Sequence, residues 1–85
     1  MNLYSRLAYL ARYQADKVAI ETPKESVTYA ELDQTARRIA SLLRQAGIVP
    51  GDIVGVRLRD TPQHMAAFFA VMRVGATVLP FDWRG

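Results

Sequence analysis

The 85-residue chain contains no cysteine, so neither a disulfide nor a thiolate metal site can hold it together. It has one histidine, His64, which cannot form a zinc site alone. No apolar run approaches the ~18 residues needed to cross a bilayer. The start, Met1-Asn2-Leu3-Tyr4-Ser5-Arg6-Leu7, lacks the continuous apolar core of a secretory signal. Arg6 and Arg12 precede the first acid, Asp16, as in mitochondrial presequences, but the spacing reads as a short amphipathic helix. The cytoplasm is the expected compartment.

Charge of one sign does not collect anywhere. The net charge is +3, which invites a nucleic-acid reading. Yet Arg37, Arg38 and Arg44, Arg57 and Arg59, and Arg73 and Arg84 are spread over every segment, with Glu21, Glu31, Asp33, Asp52 and Asp60 between them. A phosphate-binding face needs clustered cations. No nucleic-acid partner is expected.

Length sets a further bound. A chain this short buries roughly 60 to 65% of the surface its unfolded form exposes. With no covalent staple, either it packs unusually well or it is part of something larger.

The apolar periodicity gives an α/β order of elements. Leu3, Leu7, Leu10 and Ala11 recur at helical spacing, so residues 3–14 are expected to be a helix, with Tyr4, Tyr9 and Tyr13 widening its apolar face. Residues 17–22 read as a strand with Val18 and Ile20 on one face. Residues 23–26 form a turn, and residues 27–29 a brief return strand, completing a small hairpin.

Thr28 and Glu31 stand at capping-box spacing before a helix over 29–46. Its stripe is Leu32, Ala36, Ile39, Ala40, Leu43 and Ala46, with Gly47 as a left-handed stop and Ile48 folding back. Residues 52–58 form a strand after Pro50-Gly51. Thr61 and Pro62 start a helix over 62–74, Gly75 ends it, and residues 76–80 form another strand. The last three elements are a βαβ unit with parallel strands.

Residues 65–72, Met-Ala-Ala-Phe-Phe-Ala-Val-Met, are apolar without a break. A helix of this kind is buried on all sides. Two strands and a hairpin cannot cover it, so further chain or a partner is expected against Phe68 and Phe69.

Residues for chemistry are scarce. Gly47, Gly51, Gly55, Gly75 and Gly85 fit neither a P-loop nor a dinucleotide-binding frame. Ser5, Ser26 and Ser41 have only His64 as a base, at no supporting spacing. Glu31 and Asp33 lie two apart on a helix, facing different ways, and Glu31 belongs to the cap. Asp82 follows a strand end, where ligands bind in many α/β sheets, but aspartate is also a common turn former. No catalytic, cofactor-binding or metal-binding residue is assigned.

Three stretches carry a resemblance. Val27-Thr28-Tyr29-Ala30-Glu31-Leu32 resembles the early Thr-Tyr-x-Glu-Leu signature of the AMP-forming synthetase superfamily. Residues 46–54, Ala-Gly-Ile-Val-Pro-Gly-Asp-Ile-Val, resemble its Gly-x-x-Pro-Gly-Asp-x-Val segment, and residues 71–82 its Gly-Ala-x-x-x-Pro-x-Asp/Asn segment. They follow the family's order and spacing over about residues 16–84. That superfamily holds acyl-CoA synthetases, peptide-synthetase adenylation domains and luciferases.

The resemblance implies that residues 1–85 are one partial domain, the start of the large amino-terminal domain of an acyl-CoA synthetase-like fold. It implies ATP, Mg²⁺ and CoA as reactants of the parent, and a fatty or aromatic carboxylic acid as substrate. The family's phosphate loop, metal-binding acids and mobile lysine lie in later sequence, so this stretch alone is expected to be inactive. Phe81-Asp82-Trp83-Arg84 is similar to the Asn-Trp-Arg of many CoA ligases, with Asp82 in place of Asn. Peptide-synthetase adenylation domains usually have Pro-x-Tyr-Pro there. The competing readings are a peptide-synthetase adenylation domain, and a small module that self-associates or binds a partner through helix 62–74.

Overall fold

A computed structural model describes residues 2–57 and 61–81. In chain order these form α1 (Leu3–Tyr13), β1 (Val18–Glu21), β2 (Ser26–Thr28), α2 (Tyr29–Gln45), β3 (Ile53–Arg57), α3 (Pro62–Arg73) and β4 (Thr77–Phe81). The α/β class and the order expected from the sequence are both present. Leu58, expected to end its strand, and Asp82, expected just after one, lie outside the described residues, as do Asp60, Trp83 and Arg84.

Each helix begins on a side-chain cap. The Asn2 side chain accepts a hydrogen bond from the Ser5 amide at 3.1 Å. The capping box of α2 is complete: Glu31 N–H donates to Thr28 Oγ1 at 3.1 Å, and Thr28 N–H to Glu31 Oε1 at 2.9 Å. Thr61 Oγ1 accepts from the His64 amide, with Pro62 at the first helical position. These contacts satisfy amides that have no partner within the helix. At the other end of α2, Gly47 takes φ 95°, and Ile48 N–H reaches back to the Leu43 carbonyl at 3.0 Å, closing a Schellman turn.

β1 and β2 pair antiparallel, with a register irregularity between Val18 and Ile20. That irregularity breaks the simple alternation expected from the sequence. Val18 is exposed, while the adjacent Ala19 and Ile20 both pack on the core. α1 is also turned relative to expectation. Tyr4 and Leu7 are buried, whereas Leu3, Tyr9 and Tyr13 are exposed. Tyr9 and Tyr13 instead meet each other, ring centroids 4.8 Å apart, with Arg6 and Arg12 over their faces.

The core lies between α2 and α3. Ala36 and Ala40 on one helix, and Ala66 and Ala70 on the other, are all 0% exposed. Such small residues let the two backbones approach closely. Around them Tyr4, Leu7 and Leu32 form one apolar cluster with Ile20, Val27, Phe69 and Met72. Val74, Leu43, Ile48 and Ala76 form a second.

β3 and β4 pair in parallel from Ile53↔Thr77 to Arg57↔Phe81, with α3 as the crossover. α3 is better covered than the sequence suggests. α1 lies along it, so Phe68 and Phe69 are half-buried and only Met65 among its large residues stands well exposed. Bare apolar side chains are spread over several elements: Leu3 and Tyr13 on α1, Leu42 on α2, Val49 in the following turn, and Ile53, Leu79 and Phe81 on the sheet.

Candidate functional site

The sequence offers α1 no polar partner, yet the structure builds one. The Tyr4 hydroxyl donates to Asp33 Oδ1 at 2.6 Å. Arg37 Nε donates to Asp33 Oδ2 at 3.0 Å from one turn along α2. Arg73, at the end of α3, donates through Nη1 to the Tyr4 oxygen at 2.9 Å and lies 5.2 Å from the centre of its ring. Four side chains on three helices thus meet around one buried carboxylate. Asn2 adds a fourth hydrogen bond, its Nδ2 donating to the Met72 carbonyl at 3.2 Å.

The electrostatics follow from that geometry. Burial pushes the Tyr4 phenol above its ordinary value, and the hydrogen bond and negative charge of Asp33 push it the same way. The Arg73 and Arg37 charges oppose this. The Asp33 carboxylate, bonded to Arg37, raises the arginine further. At the start of α2, the amide and hydroxyl of Thr28 hold Glu31 below the usual carboxylate range.

The residues weighed from the sequence do not assemble into a reactive centre. Glu31 caps α2 at its first turn while Asp33 faces α1, so the two acids serve different contacts. His64 Nδ1 meets the Thr61 hydroxyl, its own helix cap. The hydroxyl of Ser5 bonds Asn2 and that of Ser26 bonds Glu21, so neither meets His64. Asp82 lies outside the described residues. Asp33 was the residue that sequence reasoning undervalued. The i, i+4 spacing to Arg37 was a visible signal, whereas Tyr4 and Arg73 lie 29 and 40 positions away.

Several grooves flank α1. One, of about 590 Å³, is open and runs past Ser5, Tyr9, Arg12, Asp33 and Arg37. Another, of about 290 Å³, is lined by Leu3, Met65, Phe68, Phe69 and Met72, with Arg57 and His64 at its wall. Among the described residues no three His, Cys, Asp or Glu side chains gather as metal ligands. The glycines with positive φ, Gly47, Gly51 and Gly75, each serve a separate turn instead of forming a phosphate cradle. Among the described residues no helix is long and apolar enough to cross a membrane.

A chain with this element order, and with its polar contacts given to helix docking, has the α/β fold class expected from its sequence. The sequence pattern described as AMP-binding enzyme matches residues 7–84, and the chain belongs to that family.

Its relatives include a peptide synthetase and a CoA ligase. Phosphinothricin tripeptide synthetase PhsC of Streptomyces viridochromogenes is 41% identical over 80 residues, covering 94% of this chain and 7% of that protein. The 3-oxocholest-4-en-26-oate–CoA ligase of Rhodococcus rhodochrous is 36% identical over 69 residues, covering 81% of this chain and 12% of the ligase. The solved amino-terminal subdomain of Klebsiella oxytoca NpsA shares the fold with a TM-score of 0.89 at 23% identity, covering 98% of this chain and 22% of that one. The chain thus spans a small part of each of these proteins. The resemblance read from residues 27–32, 46–54 and 71–82, and the fold it implied, both hold.

Proposed function

We propose that this chain forms the start of the large amino-terminal domain of an adenylate-forming ligase. In that enzyme a carboxylic acid and ATP give an acyl-adenylate and pyrophosphate, and a thiol then takes the acyl group and releases AMP. The observation that carries the reading is the family match over residues 7–84, with its three motifs in order. Mg²⁺ is the cation such a reaction needs. Its ligands, and the residues that hold ATP, belong to chain beyond this stretch. The 85 residues then supply scaffold, and no activity of their own. The cytoplasm is the proposed compartment.

For the thiol acceptor we favour CoA, with a fatty or aromatic acid as substrate. Support comes from Phe81-Asp82-Trp83-Arg84 in the sequence and from the Rhodococcus CoA ligase among the relatives. One observation favours a second reading, an adenylation domain of a peptide synthetase: the 41% identity to a tripeptide synthetase.

The test uses the protein expressed from its own gene. Its mass is measured first. Acid-dependent ATP–pyrophosphate exchange is then assayed with fatty, aromatic and amino acids, followed by thioester formation with CoA. Exchange with a fatty or aromatic acid, and acyl-CoA as product, is the expected result. Exchange with amino acids and no acyl-CoA selects the second reading. No exchange with any acid overturns both.

A further inference from the structure

Positive charge that is scattered along the sequence is gathered by the fold around α1. This helix carries Arg6 and Arg12 and no acidic residue. Arg12 lines the open groove of about 590 Å³ together with Arg37 of α2. The carboxylate that shares this groove is Asp33, and both its oxygens are engaged, one by Tyr4 and one by Arg37. Arg73 brings a further guanidinium to the Tyr4 hydroxyl. One carboxylate thus stands among several arginines. Among the described residues neither Arg6 nor Arg12 meets an acid. Arg6 lies over the Tyr9 ring and Arg12 over the Tyr13 ring, each 5.5 Å from the centre.

These side chains hold one another in place at the surface. The Tyr9 and Tyr13 rings are 4.8 Å apart, yet the two residues are 52% and 63% exposed. Cation–π contacts at exposed sites are weak, so the arrangement adds little to folding. It does add order. Side chains already held in position lose less freedom when a partner arrives. Arginine and tyrosine are also the residue types that dominate binding energy at protein interfaces. The Arg37 side chain stays 53% exposed after giving Nε to Asp33, which leaves part of its guanidinium facing water.

We propose that the groove between α1 and α2 docks an acidic segment of a separate protein. Its Asp or Glu carboxylates would meet Arg12 and Arg37, and its apolar atoms would lie on the Tyr9 and Tyr13 rings. The planar guanidinium matches a carboxylate with two parallel donors. The shape favours a polypeptide over other anions. A nucleic acid wants a row of cations along its backbone, and a bilayer wants an apolar face that can enter it. A concave groove with two arginines beside two tyrosines suits a short segment bearing carboxylates. Its mixed polar character is that of a reversible interface, whereas surfaces buried within one domain are mainly apolar. The inference uses the shape and charge of α1 and α2 and does not depend on the ligase reading.

Fluorescence anisotropy of a labelled decaglutamate peptide, titrated with the product of the chain's own gene, tests the groove. Binding should be present at low salt and weaken severalfold by about 0.5 M salt. Arg12→Gln should lower the affinity by about fivefold or more, and Tyr13→Ala by about threefold or more. Both side chains are exposed, so the far-ultraviolet circular dichroism should stay unchanged. Lys24→Gln removes the same charge from the turn between β1 and β2, outside the groove, and should cost less than about twofold. Equal losses from Arg12→Gln and Lys24→Gln would reduce the binding to net charge and overturn the groove. Absence of binding at low salt overturns it too. Tighter binding of a single-stranded oligonucleotide or of phosphatidylserine vesicles, with the same dependence on Arg12, overturns the protein partner in favour of that anion.

Discussion

The Tyr4 hydroxyl and the Asp33 carboxylate, 29 residues apart in sequence, meet at 2.6 Å in the interior. The contact fastens α1 to α2, and Arg73 completes it from α3. Without it, α1 would be held by apolar packing of Tyr4, Leu7 and Ala8 and by the Asn2 hydrogen bond. Hydrogen bonds to charged groups contribute about 1.5 to 3 kcal/mol, and a buried charged group left unsatisfied costs at least as much. Tyr4→Phe should therefore lower the unfolding free energy by about 2 kcal/mol, read from urea denaturation at neutral pH.

The same phenol makes stability depend on alkaline pH. Its folded-state pKa lies above the unfolded value of about 10. Above that value the unfolded chain releases a proton that the folded chain retains, so its contribution is full below pH ~10 and is lost as pH rises through the folded pKa. Unfolding measured from pH 8 to 11 should show stability falling above about pH 10. Tyr4→Phe should flatten that fall.

At acid pH the dependence comes from Glu31. Its folded pKa is depressed by the Thr28 amide and hydroxyl, so its contribution is present above the unfolded glutamate value and lost as pH falls through the folded one. Glu31→Gln should weaken that acid-side loss. Thr28→Ala should cost about 1 kcal/mol at neutral pH by removing the cap, as read by thermal or urea unfolding.

The two glycines that end α2 and α3 should not tolerate alanine equally. Gly47 has φ 95° and open space around a built Cβ, so Gly47→Ala should cost about 1 kcal/mol of backbone strain. Gly75 has φ 81°, and a Cβ there stands 3.3 Å from Pro50 Cβ. Gly75→Ala should cost more, because strain and crowding add. Urea titration of both variants decides the order.

The alanine seam between α2 and α3 makes a converse prediction. Ala40 and Ala70 have no exposed surface, so a larger side chain there must push the helices apart. Ala40→Leu should destabilise by about 1 to 3 kcal/mol despite being more apolar, again by denaturant unfolding.

Local signals were legible wherever one segment contains both partners of a contact. Thr28 and Glu31 lie in one turn, so their spacing disclosed the α2 cap. Gly47 and Ile48 disclosed its end, and Pro62 after Thr61 the start of α3. Contacts between distant segments were not legible. The rotation of α1 that buries Tyr4 depends on Asp33 and Arg73, and neither lies near it in sequence. The irregularity at Val18 and Ile20 shifts a face by one residue, which a two-residue pattern cannot anticipate.

By itself, then, the sequence determined the element order, the caps and stops, and family membership, because each is written in short spacings or in motifs that keep their order. It also disclosed that apolar surface exceeds what so short a chain can bury. Only the tertiary structure decided where that surface lies. Packing of α1 and α2 against α3 half-buries Phe68 and Phe69, while Leu3 and Tyr13 on α1, Leu42 on α2, and Ile53, Leu79 and Phe81 on the sheet stay exposed. Side-chain exposure is a property of what stands on the far side of an element, and a linear pattern does not contain it.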